Sequence, residues 1–192
     1  TMNEFMKSSD VKRWIAEARK TKKFPFEFMK VASSLGLLGI NIEEKYGGAG
    51  LNYFDALLAF EQIAYASIPF SLNILVHNSL AGFAINTFGN DSQKEKYLPQ
   101  MTTGKLFGCF ANTEPEAGSD AKNISTKAEY KNGKWILNGR KRFITNASVS
   151  DVAVVFARSS ERKPGAPGIT AFLIKVGPKI KGYSLDRIEA EN

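Results

Sequence analysis

An α+β chain is expected: an N-terminal α-helical domain over residues 1–105, followed by an antiparallel β-sheet or barrel domain over residues 106–192. Apolar residues recur at three- and four-residue spacing up to about Gly104, and short β-rich runs separated by turn signals follow it. A hydrophobic content of 43% over 192 residues is enough to bury a core. The first two helices fall at residues 10–20, with Val11, Trp14, Ile15 and Ala18 on one face, and at 25–35, with Phe28, Val31, Ala32 and Leu35, where Gly36 stops the second. Residues 43–50 are a glycine-rich break, after which Asn52 caps a third helix running to about Ala66. Residues 71–88 are apolar on most sides, as a helix buried in the middle of a bundle would be. Asn90 or Asp91 caps the last helix, which ends near Gly104. Strands are expected at 125–130, 135–138, 142–145, 151–158, 169–176 and 180–185, with Asn132-Gly133 as a type I′ hairpin turn. The chain stops inside the charged segment 185–192 with no closing element, which reads as a truncation.

Composition excludes several function classes. The longest uninterrupted apolar run is Val152 to Ala157, six residues, so no membrane span is expected. No secretory signal is visible, and a cytoplasmic location is the default. One cysteine, Cys109, and one histidine, His77, leave no disulfide and no metal cluster to build. The net charge of +7 is uneven: residues 121–192 carry 14 basic and 6 acidic groups, while 31–120 carry 4 and 9. A basic C-terminal third can meet a polyanion or simply be a solvated lysine-rich face, and no aromatic-basic RNA motif accompanies it.

The most informative stretch is Phe110-Ala111-Asn112-Thr113-Glu114-Pro115-Glu116-Ala117-Gly118-Ser119-Asp120, at the junction of the two halves. Small residues and hydroxyls there let backbone NH groups approach a planar or phosphorylated ligand, although a plain Gly-Ser-Asp turn capped by Asp120 has the same composition. Some 20 residues on follows Trp135-Ile136-Leu137-Asn138-Gly139-Arg140-Lys141-Arg142-Phe143-Ile144-Thr145-Asn146. Together with residues 35–50 and 89–99, these stretches resemble the acyl-CoA dehydrogenase family of flavoproteins over residues 25–187. The resemblance implies an N-terminal helical and a middle β domain without the family's C-terminal four-helix domain. It implies FAD as cofactor and oxidation of an acyl-CoA to a trans-2-enoyl-CoA, with an electron-transferring flavoprotein as acceptor and a homotetramer for the intact protein.

By the same resemblance, Phe110, Asn112, Thr113, Gly118, Ser119, Phe143, Ile144 and Thr145 are the cofactor-binding residues. The Thr113 hydroxyl matches the one that bonds the flavin's pyrimidine ring, Phe143 packs on the isoalloxazine, and the Thr145 hydroxyl bonds near the reactive ring nitrogen. Ser119, Asn73, Val76, His77 and Lys163 are the substrate-binding candidates, with Arg162 beside Lys163 as a second partner for CoA phosphates. His77 is equally readable as a satisfied core histidine, and Cys109 as a small buried hydrophobe. The chain departs from its relatives at Asn112, Glu116 and Ala147, and carries Phe143 where many have Trp, which keeps a stacking face and loses an indole NH. No catalytic base is assigned, because relatives carry that Glu in the C-terminal domain, and Glu114 and Asp120 serve structure. Three other readings stay open: an oxidase or flavin monooxygenase of the same fold, a non-catalytic module that binds nucleic acid or a partner, and a two-chain enzyme whose other half is a separate protein.

Overall fold

In a computed structural model the described residues are 2–161 and 168–186. Seven helices precede five strands among them. Helix α1 (Met2–Lys7), absent from the sequence expectations, leads through Ser8 into α2 (Ser9–Thr21), whose N-terminus Ser8 caps through the Val11 amide at 3.4 Å. Helix α3 (Phe26–Ser34) follows, then a compact turn region to Asn52, whose side chain accepts from the Phe54 and Asp55 amides at the start of α4 (Tyr53–Ala66). The apolar helix begins earlier than its composition suggests, because Ser67 caps it and a proline sits in its first turn. It runs as α5 (Ile68–Leu75), a π-helical turn (Val76–Gly82) and α6 (Phe83–Phe88). The helix is 21 residues long and its most apolar 18-residue stretch has a mean hydropathy of 1.4, enough by length and composition to cross a membrane; half of that stretch is buried within the protein as a core helix. Helix α7 (Asp91–Thr102) starts at a reciprocal cap between Asn90 and Gln93.

The strands are β1 (Gly108–Ala111), β2 (Lys127–Lys131), β3 (Lys134–Asn138), β4 (Val152–Arg158) and β5 (Ile169–Lys175). They form one sheet, and it is mixed rather than wholly antiparallel. The β2–β3 hairpin and the β4–β5 pair are antiparallel; β1 runs parallel to β4 over its length, and β2 meets β4 in parallel at Lys127 and Arg158. The connection from β1 to β4 is long enough to cross over and return in the same direction, which a short hairpin cannot do. Residues 142–145 are not a strand: Phe143 and Asn146 have φ of 56° and 68°, and the Arg142 amide bonds the Thr113 carbonyl, which belongs to no strand. Residues 180–185 fold as turns closed by Ile180 N to Gly177 O and Tyr183 N to Ile180 O.

The hairpin turn is as expected, with Asn132 at φ 52° and Gly133 at φ 76°. A Cβ at Gly133 would meet nothing within 4 Å, so Gly133→Ala isolates the conformational cost. We expect a loss of about 1 kcal/mol in urea denaturation with no change in the sheet's circular dichroism.

Strand β4 explains how the halves join. Its residues alternate between faces, so Val152 and Val154 pack with Ile42, Ala81, Leu98 and Met101 of the helical layer, while Ala153 and Val155 pack with Cys109, Ala111 and Val176 on the other side. Being covered on both faces, it reads as an unbroken apolar run. The β1 strand comes so close to the π-helical turn that a Cβ at Gly108 would lie 2.8 Å from both the Ala81 Cβ and the Met101 Cε. His77 seals that contact. The Gly108 amide donates to its Nδ1 at 3.2 Å, so Nε2 carries the proton and donates to the Met101 carbonyl at 3.1 Å.

Candidate cofactor site

The site begins where β1 leaves the sheet. Beyond Ala111 the chain bulges out along the β4 edge and returns as β2, and the excursion is closed on itself by paired backbone bonds between Glu114 and Ala117. Its anchor is the Glu114 carboxylate, 3% exposed. That carboxylate accepts from the Ser125 amide and hydroxyl at 2.5 and 2.7 Å, the Thr126 amide at 3.0 Å and the Lys141 ammonium at 2.8 Å. Burial alone would raise its pKa, but the Lys141 charge and the Ser125 and Thr126 donors outweigh burial and hold it at about 2. Lys141 is pushed below its usual value by burial, against the pull of Glu114.

A second segment, Arg140 to Asn146, lies against the first. Lys141 also donates to the Asn112 carbonyl at 2.9 Å, and the Arg142 amide donates to the Thr113 carbonyl at 2.9 Å. Asn146 ties the far end to both halves of the protein, donating to the Asn73 carbonyl of α5 at 2.9 Å and the Gly108 carbonyl of β1 at 3.5 Å. Its Oδ1 is buried without a partner. Between these anchors stands Phe143, 67% exposed in spite of its apolar ring, with the Arg142 guanidinium 4.5 Å from the ring centroid. A bulky residue at positive φ is uncommon, and such strain persists where surrounding bonds hold it.

The structure brings Asn112, Thr113, Phe143, Ile144 and Thr145 into this one region. Thr113 and Thr145 are half-buried, and neither hydroxyl bonds another described residue. Gly118 and Ser119 lie exposed on the same excursion. Two residues face inward instead. Phe110 packs on Phe156 at 5.0 Å, and Ile144 joins the apolar cluster around Cys109. Among the substrate candidates, Asn73 contributes its carbonyl to Asn146 and Val76 is buried. His77 is fully buried with both ring nitrogens bonded to backbone, so it has no polar atom to offer a ligand; burial lowers its pKa to about 4. Arg162 and Lys163 lie outside the described residues. Cys109 is buried and its thiol is pushed up to about 11, an inert small hydrophobe. Among the described residues no three His, Cys, Asp or Glu side chains gather as a metal cluster.

Two free hydroxyls, an exposed aromatic face and a backbone excursion at a junction form a donor set suited to a planar heteroaromatic ring with acceptors along its edge. The relatives agree. The family profile for the N-terminal domain of acyl-CoA dehydrogenases matches residues 1–105, and that for the middle domain matches 109–191. This chain belongs to the acyl-CoA dehydrogenase family. It is 42% identical over 156 residues to an acyl-CoA dehydrogenase of Bacillus subtilis, which covers 81% of this chain and 41% of that protein. Glutaryl-CoA dehydrogenase from Mycobacterium smegmatis superposes with a TM-score of 0.88 at 34% identity, over 99% of this chain and 47% of that one. A glutaryl-CoA dehydrogenase from the same organism in complex with FADH2 superposes with a TM-score of 0.79 at 33% identity, over 91% of this chain and 43% of that one. The chain thus spans less than half the length of these relatives. Lys141 and Asn146 were missed as site residues from sequence, Lys141 because a basic triplet reads as a solvated surface and Asn146 because its partners, the Asn73 and Gly108 carbonyls, are 73 and 38 residues away in sequence.

Proposed function

We propose that this chain forms the flavin-facing portion of an FAD-dependent acyl-CoA dehydrogenase. The observation that carries the reading is the pair of half-buried, unpartnered hydroxyls of Thr113 and Thr145 on two mutually bonded segments, the second of which also carries the exposed Phe143 ring. When bound, FAD supplies the two-electron acceptor for removing hydrogen from the two carbons beside a thioester. The protein's part is to hold and orient it. Thr113 offers a donor from the first segment and Thr145 one from the second, Phe143 offers a stacking face, and the exposed Ser119 is the proposed contact for the CoA thioester. A fixed hydroxyl dipole at Thr145 stabilises negative charge developing next to it without reorganisation during the reaction. An acyl-CoA is the proposed substrate, and an electron-transferring flavoprotein the proposed acceptor.

Glu114 does not act as the base. It is committed to four hydrogen bonds, and a carboxylate held at about 2 is too weak a base to remove a proton from carbon at neutral pH. The test is an anaerobic visible spectrum of the purified chain titrated with FAD, then with a panel of acyl-CoAs. We expect flavin uptake, seen as shifted and sharpened visible bands, and no bleaching by any acyl-CoA with this chain alone. Absence of uptake would overturn the flavin reading; bleaching would show a base at a carboxylate other than Glu114. If bleaching occurs, reoxidation in air within seconds would mark an oxidase instead of a dehydrogenase.

A further inference from the structure

We infer that Lys141 is a positioning residue for the flavin site, clamping the two segments that carry Thr113, Phe143 and Thr145 into one register. The inference rests on the flavin reading above and extends it to a residue that contributes no atom to the proposed cofactor contacts.

The geometry is that of a clamp. One ammonium nitrogen reaches the Asn112 carbonyl at 2.9 Å and the Glu114 carboxylate at 2.8 Å, so it bonds both sides of Thr113. The next residue closes the pairing through its amide on the Thr113 carbonyl. The Lys141 side chain is 12% exposed and that of Glu114 2%, so water does not substitute for either. The other end of the segment is fixed independently. Asn146 holds α5 and β1, its own carbonyl accepts the Ser150 hydroxyl at 2.8 Å, and the Ala147 carbonyl accepts the Tyr183 hydroxyl at 3.0 Å. Phe143 and Thr145 therefore hang between two anchors, one of which is Lys141. Without the first anchor, the Arg142 amide is left as the bond on the N-terminal side of Phe143 that opposes its relaxation from positive φ.

A purely stabilising role does not account for the arrangement. The desolvation cost of a buried ion pair largely offsets its attraction, so a pair of this kind contributes register more than net stability. What is registered here is the distance between two hydroxyls on segments about 30 residues apart in sequence. A ligand that needs both donors at once pays for any freedom between them, because ordering the segments is then charged to binding.

The experiment compares wild type, Lys141→Met and Lys141→Arg as the full chain, by FAD titration followed through the visible spectrum. Lys141→Met keeps the apolar stem and removes the charge, and should weaken FAD binding by at least roughly tenfold. Its flavin band should also lose the fine structure of a rigid, water-excluded site. Lys141→Arg restores a cation and should recover most of both. Hydrogen exchange gives a readout that needs no flavin: the Arg142 amide, bonded to Thr113, should exchange faster in Lys141→Met while amides in α2 and α4 do not. If Lys141→Met is unfolded by circular dichroism, Glu114→Gln removes the charge from the other partner and the same outcomes apply. Wild-type affinity and spectrum in the folded variant overturn the inference and leave the flavin reading standing. No uptake by wild type overturns the flavin reading, and the inference falls with it.

Discussion

Between pH 7 and pH 4 the protein should lose about 3 kcal/mol of stability through His77 alone. The folded imidazole has a pKa of about 4, driven down by complete burial against a smaller opposite pull from the Met101 carbonyl, whereas in the unfolded chain it takes the ordinary 6.5. Between those values the unfolded chain binds the extra proton and the folded one does not, so acid favours unfolding. The stability is fully present above about pH 6.5 and is lost as pH falls towards 4, below which both states are protonated. Protonating the folded ring also breaks a specific contact, since Nδ1 must accept from the Gly108 amide. Urea denaturation at several pH values should show this slope in wild type and lose it in His77→Gln, which stays neutral. An unchanged slope in the variant would assign the effect to other groups. Glu114 overlaps only the acid end of the window: its carboxyl is held at about 2 from an ordinary 4.5, so its contribution begins to be lost near pH 4.5 and continues to fall towards 2, and that part persists in His77→Gln.

Helix ends were legible where the signal is local. Asn52 and the Asn90–Gln93 pair cap through side chains that reach only two or three residues along the chain. Helix α1 was not, because six residues do not complete two turns of apolar period. The four residues of β1 carry no turn signal and become a strand only by pairing with Val152 to Val155. The opposite error fell on residues 142–145, where Phe143, Ile144 and Thr145 have high strand propensity and the Thr113 carbonyl captures the Arg142 amide instead. The parallel pairing of β1 with β4 is likewise set by contacts more than 40 residues apart in sequence, which no local pattern contains.

The site divides along the same line. That residues 110–119 and 143–145 belong together was read from their resemblance to a family, and the structure supplies the physical reason: both segments are bonded to each other through Lys141 and the Arg142 amide. His77 was readable either as a ligand contact or as core, and in the structure its ring is fully buried with both nitrogens bonded to backbone of β1 and α7. Lys141 could not be singled out within Arg140-Lys141-Arg142, since the triplet differs only in which side chain turns inward. Arg140 pairs at the surface with Asp186, Arg142 covers Phe143, and Lys141 alone of the three reaches a buried carboxylate.

Asn78→Leu should be the most damaging conservative-volume change in the helical half, costing about 3–5 kcal/mol in urea denaturation. The amide is 1% exposed and each of its atoms is used: Oδ1 accepts from the Ile40 amide at 3.2 Å, and Nδ2 donates to the Leu37 carbonyl at 2.6 Å and the Ile74 carbonyl at 3.3 Å. Leucine fills the same space and strands the Ile40 amide and the Leu37 carbonyl away from water. A loss below 1 kcal/mol would show that these groups find other partners. The position also explains why an otherwise apolar helix carries His77 and Asn78. Each side chain serves a different neighbour: His77 strand β1 and α7, Asn78 the turn at Leu37–Gly39. Both lie in the π-helical turn, whose extra residue brings consecutive side chains to bear on opposite layers. Because β1 and Asn146 are both anchored on this helix, Asn78→Leu should loosen the cofactor segments before the global transition, and hydrogen exchange at the Arg142 and Gly108 amides should report it at urea concentrations where helical circular dichroism is still intact.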